Sequence, residues 1–383
     1  MDSILRYLRN QQNNMLEMLG RFVEAESPST DKPSVDRFGE MVGEIARGTQ
    51  ANVRFFHSRH TGNHLRAEFA FDSKRGAGQV LLLGHLDTVW NLGTIAKMPF
   101  RQKRGRAYGP GVFDMKSGIV IGLFALKSLQ ALGIPVKKKV VLLLTADEEM
   151  GSPNSRPITE REARRSDCVL VLEPAHGLSG SLKTARKGVG EFEIRVKGRA
   201  SHAGLDPEKG ASAILELCRQ VVRVEKFADP RNGITVNSGV ISGGTRSNVV
   251  ASEAAAQIDA RIARTRDMAK LKRKFRSLKP FDSRTKLEVT GQFNRPPLER
   301  TAQVIELFEL ARKLGSTLGI NLSEASVGGG SDGNYTAALG IPTLDGLGGV
   351  GEGAHAAHEN ILIGELPRRS ALLAHLITQL GNS

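Results

Sequence analysis

Cysteine is nearly absent from these 383 residues. The two present, Cys168 and Cys218, lie inside the apolar runs DCVLVLE and AILELCRQVV. That scarcity excludes a disulfide-stapled scaffold, and both thiols read as small core residues in a reducing compartment. Long hydrophobic runs are missing as well. No uncharged apolar stretch approaches the roughly 18 residues a membrane span requires. The start, MDSILRYLRNQQNN, lacks a basic segment followed by an apolar block and a small-residue cleavage site. No secretory leader is therefore expected, and the chain reads as cytoplasmic.

Apolar content of 40% with 25% charged residues describes a globular protein, and 383 residues suggest more than one core. Net charge is +14, and much of the excess is local: residues 261–286 hold eleven Lys or Arg against two Asp. Within them Met268, Leu271, Phe275 and Leu278 recur at steps of three and four, which predicts a helix with one apolar stripe and a basic outer face. A solvated face is preferred to a nucleic-acid site, because aromatics for base stacking are too sparse there. The competing reading from another class is a non-enzymatic polyanion binder acting through this helix.

Apolar periodicity predicts a helix over 3–24, after which SPSTDKPSV breaks the chain. Three short apolar runs follow, at Gln79–Gly84, Val140–Thr145 and Cys168–Leu172. Such runs predict a mainly parallel sheet with helices on both faces, an α/β arrangement. KSGIVIGLFALKSLQAL, residues 116–132, predicts one covering helix. From about 187 to 295 the pattern changes to strand, helix, strand, strand, helix, strand with period-two alternation, which predicts a second, α+β domain inserted into the first. The first domain is accordingly 1–186 with 296–383, and the insert is 187–295. Helices at 302–318 and 366–380 and an apolar segment at 340–347 complete the chain.

Every buried run of the first domain ends in ionisable groups: His85 and Asp87, then Asp147, Glu148 and Glu149, then Glu173. Ligands collect beyond the carboxyl ends of strands in open parallel sheets. Acids gathered there repel one another and need a compensating cation. Asp114 in YGPGVFDMKSG and His355 in GEGAHAAHENI lie in glycine-rich loops. Two imidazoles with three carboxylates suit a pair of metals sharing one bridging acid, and the mixed donor set favours Zn2+, or Co2+ or Mn2+, over Ca2+ or Mg2+.

GHLDTVW, GPGVFDMKSG, TADEEMGS, LEP, GRASHAG, GGGSDG and GAHAAHEN, in that order, resemble the M20 family of co-catalytic zinc peptidases, closest to its glutamate carboxypeptidase (carboxypeptidase G) branch. The resemblance spans nearly the whole chain. It implies that His85 and Glu173 hold one zinc, that Glu149 and His355 hold the other, and that Asp114 bridges both. It makes Asp87 the acid that accepts the second N–H of His85, and Glu148 the general base acting on a metal-bridging water. It also implies a cis Asp114–Met115 peptide. The terminal motif departs from the common His-Ala-Pro-Asn-Glu: it reads His355-Ala-Ala-His358-Glu359, and His355 is taken as the ligand over His358.

By the same resemblance, the insert is a ferredoxin-like dimerisation (lid) domain. Its His202 reaches the partner subunit's site as an oxyanion stabiliser, and Arg261, Asn248 and Arg295 grip the substrate's terminal carboxylate. The implied activity is a dizinc carboxypeptidase releasing a C-terminal, Glu- or Asp-like amino acid from peptides or N-acyl conjugates. An aminoacylase or dipeptidase acting on small N-acyl amino acids is the alternative. A homodimer is expected, with no membrane and no nucleic acid among the partners. His57, His60 and His64 in FFHSRHTGNH read as a surface loop, and His176 is given no role.

Overall fold

Leu82 and Leu142 fall in one apolar cluster, while their neighbours Leu81, Leu83, Val141 and Leu143 fall in another. Alternate side chains of a strand point to opposite faces, so continuous apolar runs are what a sheet covered on both sides demands. The computed structural model describes residues 2–71 and 78–382. In it the three runs are the strands Gln79–His85, Lys139–Thr145 and Cys168–Val171. They occupy the middle of a six-stranded sheet ordered Asn52–Phe56, His64–Phe69, Lys139–Thr145, Gln79–His85, Cys168–Val171, Thr343–Leu344. The first two strands pair antiparallel and the remaining four run parallel.

The larger cluster is closed by helices Ser3–Asn10, Gln12–Glu24, Ser117–Ala131 and Glu365–Asn382, and the smaller by Arg156–Ala163. Burying each such leucine contributes about 1.5–3 kcal/mol. Helix Ser117–Ala131 sits so close to the sheet that a Cβ on Gly118 would lie 2.0 Å from the Leu172 carbonyl oxygen. The single N-terminal helix expected from periodicity is two helices, interrupted at Gln11 (φ −93°, ψ 0°) inside the polar run QQNN. Asn is a poor helix former, and the apolar stripe continues past the break because both helices pack on the same core.

The chain divides into two compact units: Met1–Thr184 with Arg300–Ser326 and Ser331–Ser383, and Ala185–Glu299 with Val327–Gly330. The second is a four-stranded antiparallel sheet ordered Thr235–Gly243, Glu253–Ile262, Gly188–Lys197, Lys286–Arg295. Helices Ala213–Glu225 and Arg266–Arg276 bury Leu217, Val224, Leu271 and Phe275 in its core. The basic stretch thus forms its helix with the apolar stripe inward. Cys218 corrects the sequence reading: it is exposed, one position beyond the buried Leu217, and a helical step of about 100° carries it outward. Cys168 is buried as expected. Among the described residues no helix is long and apolar enough to cross a membrane.

Candidate active site

Three parallel strands end at one edge of the larger sheet, so the residues that follow them converge there. His85 closes its strand opposite Thr145, and its backbone N–H points to the Met115 sulfur at 3.2 Å. Its Nε2 lies 3.3 Å from Asp114 Oδ1 and 3.5 Å from Glu173 Oε1. The other oxygen of Asp114 lies 3.5 Å from His355 Nε2, which is 3.3 Å from Glu149 Oε1. Asp114 therefore stands between two imidazoles, each with its own further carboxylate. His355 gains this aim from a left-handed backbone (φ 62°), unusual for a residue with a Cβ. The Asp114–Met115 peptide is cis. Among the described residues His355, not His358, takes part in these contacts.

Asp87 stands beside His85 and does a second job as well. The nearest acceptor for His85 Nδ1 is the Asp87 backbone oxygen at 2.9 Å, with carboxylate Oδ1 farther, at 3.5 Å. The carboxylate receives the backbone N–H groups of Glu148 and Glu149, each at 3.2 Å, and the Ser29 hydroxyl at 2.7 Å. It fixes the turn on which both glutamates stand. That turn, Glu148–Met150, is held from other sides too. The buried Asp147 accepts from Asn154 N at 2.8 Å, and the buried Asp332 accepts from Thr145 Oγ1 at 2.9 Å and from Ser152 Oγ.

Whether this pocket suits cations can be judged from its unsatisfied atoms. His85 Nε2 and Asp114 Oδ1 are both buried and lack a hydrogen-bond partner, although they face each other. An orphaned imidazole nitrogen beside an orphaned carboxylate oxygen is costly unless a cation lies between them. Ligand atoms of His85, Asp114 and Glu149 lie within 4.8 Å of one another, as do those of His85, Glu148 and Glu173. In the protein alone the imidazoles act as the counter-charges. Burial opposes the charged form of His85, but Asp114, Asp87 and Glu173 overrule it and hold the ring well above its ordinary pKa. Asp114 and Glu149 push His355 up to about 10. Burial raises Glu149, whereas the two imidazoles hold Asp114 far below the usual carboxylate range despite its burial. The donor set fits divalent metals.

His202, Asn248, Arg261 and Arg295 all belong to the second unit. His202 is exposed, and its Nδ1 accepts the N–H groups of Gly204 and Leu205, both at 3.1 Å, which assigns the proton to Nε2. Asn248 is exposed and Arg295 buried. Arg261 is committed within its own unit: it pairs with Asp259 (2.9 Å) and donates to Gly328 O (2.8 Å).

His57 and His60 are exposed, as a surface loop requires, but His64 is not. It opens the strand His64–Phe69, is buried, and its Nδ1 accepts the Ala146 N–H at 3.1 Å behind the Glu148 turn. The alternation of LRAEF immediately after it is the signal that could have placed it. Glu359, the last residue of the terminal motif, receives no role from sequence, yet it is deeply engaged here. Its carboxylate, buried deeply enough to raise its pKa to about 7, accepts from Gly111, Phe113 and Asp114 N–H groups and from Trp90.

Comparison with known proteins bears on this arrangement. A profile of the peptidase family M20/M25/M40 matches residues 81–379. Carboxypeptidase G2 of Pseudomonas sp. (strain RS-16) is 34% identical over 316 residues, covering 80% of this chain and 75% of that protein. Acetylornithine deacetylase of Klebsiella pneumoniae (strain 342) is 28% identical over 266 residues, covering 63% and 66%. Among solved structures, aminopeptidase PepT from Bacillus cereus ATCC 10987 shares the fold, with a TM-score of 0.79 at 22% identity over 96% of this chain and 98% of that one.

Proposed function

This chain belongs to the peptidase family M20/M25/M40 and is a metal-dependent hydrolase; on that premise we propose that it binds two zinc ions and releases a C-terminal amino acid from a peptide or N-acyl conjugate. Co2+ or Mn2+ can serve in place of zinc, since imidazole and carboxylate suit each of them. The observation that carries the reading is Asp114, whose two oxygens are divided between His85 and His355, each imidazole having its own further acid. His85 and Glu173 would hold one ion and Glu149 and His355 the other, with Asp114 shared. When bound, the ions supply Lewis-acid polarisation of the scissile carbonyl and lower the pKa of a water.

The remaining chemistry is the chain's own. Glu148, buried with a carboxylate oxygen within 4.8 Å of ligand atoms of His85 and Glu173, takes the proton from the attacking water and returns it to the leaving nitrogen. Asp87 holds Glu148 in place through its backbone N–H. His202, with its proton on Nε2, donates to the developing oxyanion from the partner of a homodimer. The exposed Val240 and Ile241 on the edge strand Thr235–Gly243 support self-association through the second unit. Arg261, Asn248 and Arg295 are proposed to receive the substrate's terminal carboxylate, Arg261 by exchanging Asp259 for it. Two unpaired cysteines suit a reducing cytoplasm.

The likeness to carboxypeptidase G2 supports release of a C-terminal residue, of Glu- or Asp-like character by the branch it resembles. The likeness to acetylornithine deacetylase favours a second reading, an amidohydrolase acting on small N-acyl amino acids through the same groups. Metal analysis followed by a release screen separates them. Two ions per chain and turnover of N-acyl-Glu or N-acyl-Asp are expected. Preference for N-acetyl apolar amino acids selects the second reading, and fewer than two ions after careful reconstitution rejects the two-metal centre.

A further inference from the structure

Glu359 is buried, four residues beyond His355, and stands apart from the ligands and the proton carrier. Its Oε1 accepts Phe113 N–H at 2.9 Å and Asp114 N–H at 3.0 Å. Its Oε2 accepts Gly111 N–H at 2.9 Å and the indole N–H of Trp90 at 2.8 Å. Each oxygen thus already receives two donors. Glu359 is neither a spare ligand nor a second base.

Its partners lie on separate loops. Trp90 follows Asp87 out of the central strand, Gly111–Asp114 is the turn that presents the shared acid, and Glu359 itself shares a loop with His355. These segments are 245 to 269 residues apart in sequence. Pairing of Asn360–Leu362 with Arg106–Tyr108 brings the two segments together, but an ion shared by Asp114 and His355 requires the distance between those side chains to be held to a few tenths of an ångström.

We propose that Glu359 is a positioning residue that sets the register between the Asp114 turn and the His355 loop, and so governs the affinity of the ion held by Glu149 and His355. The proposal rests on the two-metal reading above. A carboxylate is required for the task. In glutamine one oxygen becomes an NH2 group, and whichever way the amide turns, that NH2 confronts two N–H donors and leaves both unsatisfied. Aspartate is one methylene short of reaching all four. The ion between His85 and Glu173 is less dependent on the clasp, because His85 ends a strand paired on both sides and Glu173 closely follows another.

Glu359→Gln tests this, using zinc titration of the full-length protein against a competing chelator. The affinity of one ion should fall ~10–100-fold while the other changes little. The kcat at limiting zinc should fall with it and recover in excess zinc, a rescue that a merely misfolded chain would not show. Trp90 is the only tryptophan, so its emission should respond to zinc in the wild-type protein and lose that response in the variant. Two ions bound with wild-type affinity would overturn the proposal. If circular dichroism shows the glutamine variant unfolded, Trp90→Phe replaces it, removing one donor and leaving the carboxylate; affinity should then fall on the order of 10-fold, and no change overturns the proposal. A wild-type chain that takes up a single ion refutes the two-metal reading instead. The clasp is then judged by whether Glu359→Gln weakens that ion.

Discussion

Between Ala185 and Glu299, 23 lysines and arginines face 13 acids, whereas the rest of the chain is close to balance at 31 against 27. The two units also dispose of their charge in opposite ways. In the second, cations of helix Arg266–Arg276 stand on its outer face while Leu271 and Phe275 fill the core. In the first, Asp87, Asp147, Glu148, Glu173, Asp332 and Glu359 are all buried near one sheet edge. The +14 total invites an anionic partner, yet the densest electrostatics in the molecule is negative and hidden. Net charge describes the surface; chemistry follows the charges a fold takes the trouble to bury.

The comparison can be broken most sharply inside the first unit. Glu148→Gln should lower turnover on the order of a thousandfold while metal analysis still finds wild-type stoichiometry, because the residue moves a proton and leaves the ligands alone. Near-normal activity would remove Glu148 from the mechanism. A comparable injury to the second unit should leave the metals untouched. Phe275 stacks on Phe192 at 4.0 Å and meets Phe227 edge-on at 5.5 Å. Phe275→Ala should cost about 3–5 kcal/mol. Hydrogen exchange should quicken in Gly188–Lys197 and Glu253–Ile262, with metal content unchanged. Loss of metal would show the units are not energetically separate.

Chelation is the converse experiment. A ligand present at a hundred times its Kd stabilises the native state by about 2.7 kcal/mol, so stripping it should quicken exchange around 111–117 and 147–155 and leave the second sheet as it was. Equal responses in both units would contradict the assignment. The smallest effect separates the cysteines. Burial pushes the Cys168 thiol up to about 12, so at pH 8 it stays protonated as well as inaccessible, while Cys218 is exposed. One thiol per native chain should react with a maleimide, and two after denaturation.

The strands are legible because a sheet buried on both faces writes itself as continuous apolar residues. Their tips are legible because charge at the end of a buried strand is costly unless something there makes use of it. The βαββαβ order of the second unit can likewise be read from alternation alone. What escapes depends on partners far away. Cys218 looks buried because its neighbours in sequence are apolar, yet a helix sorts neighbours to different faces. His64 looks like loop because its surroundings are polar until Leu65. Asp87 stands next to an imidazole in sequence, and only the structure shows that its carboxylate also serves amides 61 and 62 residues away. Glu359 falls inside the terminal motif, but nothing there tells that its carboxylate gathers amides about 245 residues away.

Asp87 has one more implication. Its Oδ1 anchors the amide of Glu148 and its Oδ2 that of Glu149. A proton carrier and a metal ligand therefore hang from a single carboxyl group. Anyone redesigning this scaffold to prefer another cation cannot shift position 149 while keeping position 148 fixed, because the hook that tilts one tilts the other. Evolvability of the centre is correspondingly narrow along this turn.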